Sequence, residues 1–190
     1  MLQNKAKLKE LTAKYGHAVP RYTSYPTAPE WKHDFDQKQY EAAMLRSNEQ
    51  GNDYSLYLHI PFCESQCYYC GCNVVISPEH GIEKKYIDQV KKELSYYADK
   101  IDPKRKILQM AWGGGTPTYL SPDQIVDLAD FIKERFGYYS RTSLLELADS
   151  GVDYNEHEYA IEIDPRVTTK DHLQALYHSG FNRLSMGIQD

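Results

Sequence analysis

The sequence predicts an α/β chain built on parallel strands, and two observations point there. From residue 54 onward, short apolar runs of strand type take turns with stretches of helical periodicity. That order calls for parallel strands joined by crossover helices, in a layer or in part of a barrel. In such sheets ligands sit beyond the C-terminal strand ends, and the residues suited to chemistry fall there. The cysteines follow the first strand, Gly113-Gly114-Gly115-Thr116 the second, Glu162 and Asp164 end the third, and Gln189 ends the fourth.

The elements follow in order. "YSLYLHI" (54–60) alternates as a strand. Over residues 82–98, Ile82, Tyr86, Ile87, Val90, Leu94 and Tyr97 recur at helical spacing between charged residues. "ILQMAWG" (107–113) is the second strand and runs into "GGTPTYL". Ser121-Pro122-Asp123 is a helix start, a cap followed by proline at the first helical position. Ile125, Leu128, Ala129, Ile132 and Phe136 form its apolar face, and Gly137 ends it. "YAIEIDP" (159–165) is the third strand; Thr168 or Thr169 caps a short helix stopped by Gly180, and "RLSMGIQ" (183–189) is the fourth. Two segments read less clearly. Residues 1–53 hold a short helix (Lys5 to Tyr15) and the extended stretch "PRYTSYPTAPEW", while residues 137–158 form a long connection with a turn of helix at Leu144 to Ala148. The division expected is 1–53, an N-terminal helix and arm, and 54–190, the βα repeat. The first and fourth strands would be open apolar edges, an arrangement expected of the N-terminal part of a longer protein.

Composition narrows the function. With 190 residues, 41% of them hydrophobic, the chain can bury a core. Twenty-two Lys and Arg against 27 Asp and Glu give a net charge of −5, which disfavours nucleic acid as a partner. The densest basic run, Lys104-Arg105-Lys106, is expected to be a solvated loop. No apolar h-region opens the chain and no segment approaches a membrane span, so a cytoplasmic location is expected, where thiols stay reduced.

All four cysteines lie in "HIPFCESQCYYCGCN" (59–73), spaced C-x3-C-x2-C-x-C. A structural zinc site commonly draws its ligands from two separated pairs. Inert buried thiols are a second reading, although Glu64, Ser65 and Gln66 stand between the cysteines. Iron–sulfur ligation by thiolates is the third. In that reading three thiolates reach three corners of one [4Fe-4S] cube and leave the fourth iron open to a substrate or cofactor.

Cys63, Cys67, Tyr69 and Cys70, directly after the first strand of a βα repeat, resemble the signature of the radical S-adenosylmethionine enzymes. The resemblance implies a partial (β/α) barrel of radical-SAM type, of which the chain supplies the first four strands, preceded by an N-terminal arm. It also implies that the open iron is chelated by the amino and carboxylate groups of S-adenosylmethionine, which one-electron reduction cleaves to methionine and a 5′-deoxyadenosyl radical. "PRYTSYPTA" (20–28), "YLHIPFC" (57–63), "CYYCGCN" (67–73), "WGGGTPTYL" (112–120), "EIDPR" (162–166) and "GFNRLSMGIQD" (180–190) are similar, more narrowly, to the oxygen-independent coproporphyrinogen III oxidase family. That family's reaction is the anaerobic oxidative decarboxylation of two propionates of coproporphyrinogen III to vinyl groups, giving protoporphyrinogen IX in haem biosynthesis.

The family pattern implies specific roles. Cys63, Cys67 and Cys70 would hold the cluster, and Tyr57 and Tyr69 would lie against cluster and cofactor, although either tyrosine also reads as packing. Gly114, Gly115 and Thr116 would present backbone to the methionine part of the cofactor, since glycine is needed where a ligand approaches main chain closely; a tight turn is the plainer reading. Glu162 would accept from the ribose hydroxyls, and Gln189 matches a further cofactor contact. Asp164 and Arg166 read as loop-structuring. Cys72 stands too close to Cys70 for a fourth corner and is the candidate catalytic free thiol. Arg21 and Tyr22, on the arm, are candidates toward the substrate's carboxylates. The resemblance further implies an electron donor and acceptor of unspecified identity, a second S-adenosylmethionine and a monomer when full length. The isolated 190-residue chain is expected to be incomplete and inactive. The rival readings are a haem chaperone of the HemW type, which typically carries an aromatic residue in place of Cys72 and lacks the arm, and a non-catalytic cluster- or zinc-holding fragment.

Overall fold

The computed structural model describes residues 2–16, 27–32, 34–138 and 157–187. Arg21, Tyr22, most of the 137–158 connection with its expected helical turn, and Gln189 lie outside the described residues. The chain divides into two compact units, Met1–Tyr40 and Glu41–Asp190.

The first unit holds helix α1 (Leu2–Tyr15), a 3-10 turn at Ala28–Glu30, and the start of α2 (Gln37–Gln50). Helix α2 is not among the elements expected for residues 1–53. A reciprocal cap starts it: Gln39 N–H donates to Asp36 Oδ1 at 2.8 Å, and Asp36 N–H donates to Gln39 Oε1 at 2.7 Å. The Asp-x-x-Gln pattern was visible, but no regular apolar stripe follows it, and α2 has no buried residue.

The second unit carries a four-stranded, wholly parallel sheet in the order β1-β4-β5-β6, comprising Tyr54–Ile60, Ile107–Gly114, Glu158–Ile163 and Arg183–Met186. Helices α3 (Ile82–Ala98), α4 (Pro122–Phe136) and α5 (Lys170–His178) lie between successive strands in sequence. This is the α/β repeat expected from the sequence, and β1 and β6 are its edges. Two strands stop earlier than their apolar patterns: β5 ends before Asp164-Pro165, where proline has no N–H for the ladder, and β6 ends at Met186.

Register follows side-chain type. Leu58 and Ile60 of β1 pair with Trp112 and Gly114 of β4, and Trp112 pairs in turn with Ile161 of β5. Ile60, Ile107, Met110, Trp112 and Ile161 pack with Ile125, Leu128 and Ile132 of α4 in one buried cluster. Each fully buried aliphatic side chain contributes roughly 1.5–3 kcal/mol relative to exposure.

The helix starts are strongly specified. Ser121 and Gln124 form a capping box on α4, with Pro122 at the first position, and Thr169 and His172 form another on α5. His172 also reaches Leu120 C=O at 2.9 Å through Nε2, tying α5 to the turn after β4. At α3, Glu83 is 2% exposed. Burial opposes its ionisation, but hydrogen bonds from Gln124 Nε2 and from the N–H groups of Glu83 and Gly81 hold the carboxyl below its ordinary range.

One expectation is corrected. Arg105 is not in a solvated loop but 8% exposed. Its guanidinium donates to Asn52 C=O, to Ser47 Oγ and Asn48 Oδ1 at 2.9 Å each, and lies over the Tyr54 ring. A fixed planar fork suits several acceptors at once, so one member of a basic run is internal while Lys104 remains exposed.

Candidate functional site

The strand ends build the site. After β1 the chain makes a second, two-stranded parallel sheet, β2 (Phe62–Cys63) with β3 (Val75–Ile76). Val75 N–H donates to Pro61 C=O at 2.7 Å and Ser77 N–H to Cys63 C=O at 2.9 Å, which closes the intervening residues into a loop. That loop carries Cys67, Cys70 and Cys72, with Cys63 at its base. All four thiols are free.

Across from the thiols stands the end of β4. Gly115 N–H donates to Ile60 C=O and Thr116 N–H to Phe62 C=O, each at 2.8 Å, so the glycine turn is stitched to the strand that delivers Cys63. The glycines are required here. A Cβ on Gly115 would meet Phe62 O at 2.8 Å and Cys63 Sγ at 2.9 Å. Gly114 has φ of 117°, the left-handed region, and a Cβ there would sit 2.7 Å from the His59 ring. At Gly113 it would lie 3.0 Å from Glu162 Oε2 and 3.2 Å from the Tyr57 hydroxyl.

Glu162, near the end of β5, accepts from Gly114 N–H at 3.2 Å and leaves its carboxylate facing the cavity. Thr116 Oγ1 lies 3.4 Å from Cys63 Sγ. Burial pushes the Cys63 thiol up, with the Thr116 hydroxyl partly offsetting it. Contact with Cys70 pushes the Cys72 thiol up.

These groups line one cavity of about 330 Å³. It brings together Cys63, Cys67, Cys70 and Cys72, Tyr69, Gly114, Gly115, Thr116 and Glu162, all singled out from the sequence. Tyr57 is not part of that lining: it borders the groove between β1 and α3, but its hydroxyl, 3.1 Å from His59 Nδ1, faces the same Gly113 position as Glu162. Asp164 and Arg166 also line the cavity, as do Ser185, Met186 and Gly187 at the end of β6. The β6 contribution was not anticipated, because small and apolar residues at a strand end carry no chemical signal of their own.

Among the described residues no three His, Cys, Asp or Glu side chains converge on a point suited to one metal ion. The donor set, thiols on one wall and a glycine cradle with a carboxylate on the other, fits a cluster bearing a small polar ligand.

Comparison with known proteins agrees. The model of the radical SAM superfamily matches residues 57–190. The oxygen-independent coproporphyrinogen III oxidase of Helicobacter pylori (strain J99) is 39% identical over 183 residues, 95% of this chain and 37% of that protein. The protein of the same name from Escherichia coli (strain K12) is 39% identical over 180 residues, 95% of this chain and 35% of its own length. A solved structure described as coproporphyrinogen III oxidase (HemN) from Escherichia coli, a radical SAM enzyme, superposes with a TM-score of 0.75 at 37% identity, covering 95% of this chain and 36% of that one. The chain therefore spans little more than a third of the length of these relatives. The superfamily's cofactors are a [4Fe-4S] cluster and S-adenosylmethionine. With the model matched from β1 through the described end of the sheet, and the cysteine loop facing a glycine cradle, the chain belongs to the radical SAM superfamily.

Proposed function

We propose that this chain forms the cofactor-binding part of an oxygen-independent coproporphyrinogen III oxidase, an oxidoreductase of porphyrin biosynthesis. The observation that carries the reading is the single cavity in which Cys63, Cys67 and Cys70 face Gly114, Gly115, Thr116 and Glu162. When bound, the cluster and S-adenosylmethionine supply removal of a hydrogen atom from the propionate β-carbon, after which loss of carbon dioxide and one electron leaves a vinyl group. Acid–base side chains cannot break such a C–H bond, so the protein's share is binding, orientation and exclusion of water.

In this reading Cys63, Cys67 and Cys70 hold the cluster. The backbone of Gly114, Gly115 and Thr116 receives the methionine part of the cofactor, and Glu162, already fixed by the Gly114 N–H, accepts from its ribose hydroxyls. Tyr69 and Tyr57 pack toward the same ligands, Gln189 supplies a further contact, and Cys72 is a free thiol beside the site. A second S-adenosylmethionine, coproporphyrinogen III, and an electron donor and acceptor outside this chain complete the reaction. Arg21 and Tyr22 of the 1–53 arm are the candidates for the substrate's carboxylates, and 54–190 is the barrel portion. The location proposed is cytoplasmic and the full-length protein a monomer; among the described residues no helix is long and apolar enough to cross a membrane.

The test is anaerobic turnover by the full-length protein with reductant, S-adenosylmethionine and coproporphyrinogen III. Methionine release coupled to carbon dioxide loss and vinyl formation is expected, with Glu162→Gln weakening S-adenosylmethionine binding about tenfold, or ~1.4 kcal/mol. Stable haem binding without carbon dioxide release would instead favour a haem-handling chaperone.

A further inference from the structure

Arg166 sits in the turn that follows β5, two residues beyond Asp164, and its side chain bends back across the cavity. Asp164 holds it with a fork: Nε lies 3.1 Å from both carboxylate oxygens, Nη2 donates to Oδ2 at 2.6 Å, and the Arg166 N–H donates to Oδ1 at 2.9 Å. Asp164 is 7% exposed, and its C=O accepts from the Thr168 hydroxyl at 2.7 Å and the Thr168 N–H at 3.0 Å. Thr168 in turn touches the Thr118 hydroxyl at 2.8 Å. The fork is thus anchored on the turns after both β4 and β5. Within this arrangement Arg166 Nη2 also reaches Cys67 Sγ at 3.8 Å.

That contact joins the cysteine loop to the turn after β5 at Cys67, the first thiol of the loop. Cys63 has a neutral hydroxyl beside it, Thr116, whereas Cys67 has a cation. Hydrogen bonds and positive charge at ligand sulfurs stabilise the reduced cluster, which carries one more electron, more than the oxidised cluster.

We propose that Arg166, held by Asp164, is a positioning residue that donates to the Cys67 sulfur and raises the reduction potential of the bound cluster. The inference rests on the reading of Cys63, Cys67 and Cys70 as cluster ligands. Arg166 touches neither substrate nor reacting atoms in this role; it acts through Cys67.

The experiment compares wild type, Arg166→Gln and Arg166→Lys as anaerobically reconstituted full chains. Iron and sulfide are counted, and the midpoint is followed by paramagnetic resonance during mediated dithionite titration. All three should retain a cluster. Arg166→Gln should lower the equilibrium constant for reduction about threefold, ~28 mV more negative for a one-electron couple, and Arg166→Lys, which keeps the charge but not the fork, should fall between. An unchanged midpoint in both variants overturns the inference, as does lowered iron content with an unshifted midpoint in the clusters that remain, which would make Arg166 a support of the loop only. Wild-type chain that takes up no iron would instead defeat the cluster reading, and this inference with it.

Discussion

The two walls of the cavity are held in opposite ways. The glycine wall, residues 113–116, is tied mostly by main chain: Gly115 and Thr116 donate to carbonyls of β1 and β2, Gly114 N–H donates to the Glu162 carboxylate, and a Cβ at Gly113, Gly114 or Gly115 would press on a neighbour. The cysteine wall, residues 64–73, makes one backbone hydrogen bond within itself among the described residues, Cys70 N–H to Cys67 C=O at 3.0 Å. It is otherwise held by side chains reaching it from outside, His80 to Glu64, Arg166 to Cys67 and His59 to the Asn73 carbonyl. The difference teaches a division of labour. The glycine wall is fixed mostly by its own backbone and the Glu162 carboxylate, whereas among the described residues the thiol-bearing wall draws its contacts chiefly from side chains of neighbouring segments.

Substitutions can break that contrast. The largest effect is expected at Gly115→Ala, whose Cβ would press on backbone at Pro61 and Phe62 as well as on Cys63 Sγ. Neither backbone atom can swing away, so a loss of ~2–3 kcal/mol in urea unfolding is expected, together with loss of cofactor binding. A smaller effect is expected at Asp164→Asn. The Arg166 hydrogen bonds outweigh burial and hold the Asp164 carboxyl below its ordinary range. A depressed carboxylate stabilises the fold fully above its unfolded value and loses that contribution as pH falls through the folded value. Wild type should therefore exceed Asp164→Asn in thermal midpoint at neutral pH, and the two curves should converge below the ordinary carboxylate range, near pH ~4. Equal midpoints at neutral pH would remove the pair from the account. The smallest effect belongs to Gly71→Ala: nothing lies within 4 Å of its Cβ position, so unfolding should shift by less than ~0.5 kcal/mol. A cost comparable to that of Gly115→Ala would show that the cysteine wall is as closely packed as the glycine wall.

Much of this was legible in the sequence because each element carried two agreeing signals. The helix at Pro122 has a cap, a first-position proline and an apolar stripe, and the strand at Tyr54 has alternation followed at once by the thiols. The site was legible because its residues cluster at strand ends. What escaped reading had one signal or a misleading one. Helix α2 begins with a capping pair but buries no face, so periodicity did not mark it. Arg105 lies in a basic run, and only the tertiary arrangement shows that the last turn of α2, at Ser47 and Asn48, and Asn52 just beyond it supply its acceptors. The Arg166–Cys67 contact joins residues far apart in sequence, and no spacing rule reports which strand-end turn will face which loop. The short β2–β3 pair depends on two residues per strand, too few for any pattern.

In the proposed site Cys63, Cys67 and Cys70 hold one cluster against the glycine wall while Cys72 stands outside it. Anaerobic reconstitution followed by iron, sulfide and zinc analysis tests it most directly. About four irons per chain with matching sulfide are expected, abolished by Cys63→Ala, Cys67→Ala or Cys70→Ala and retained in Cys72→Ser. One zinc with no iron, or iron lost equally on Cys72→Ser, would contradict it.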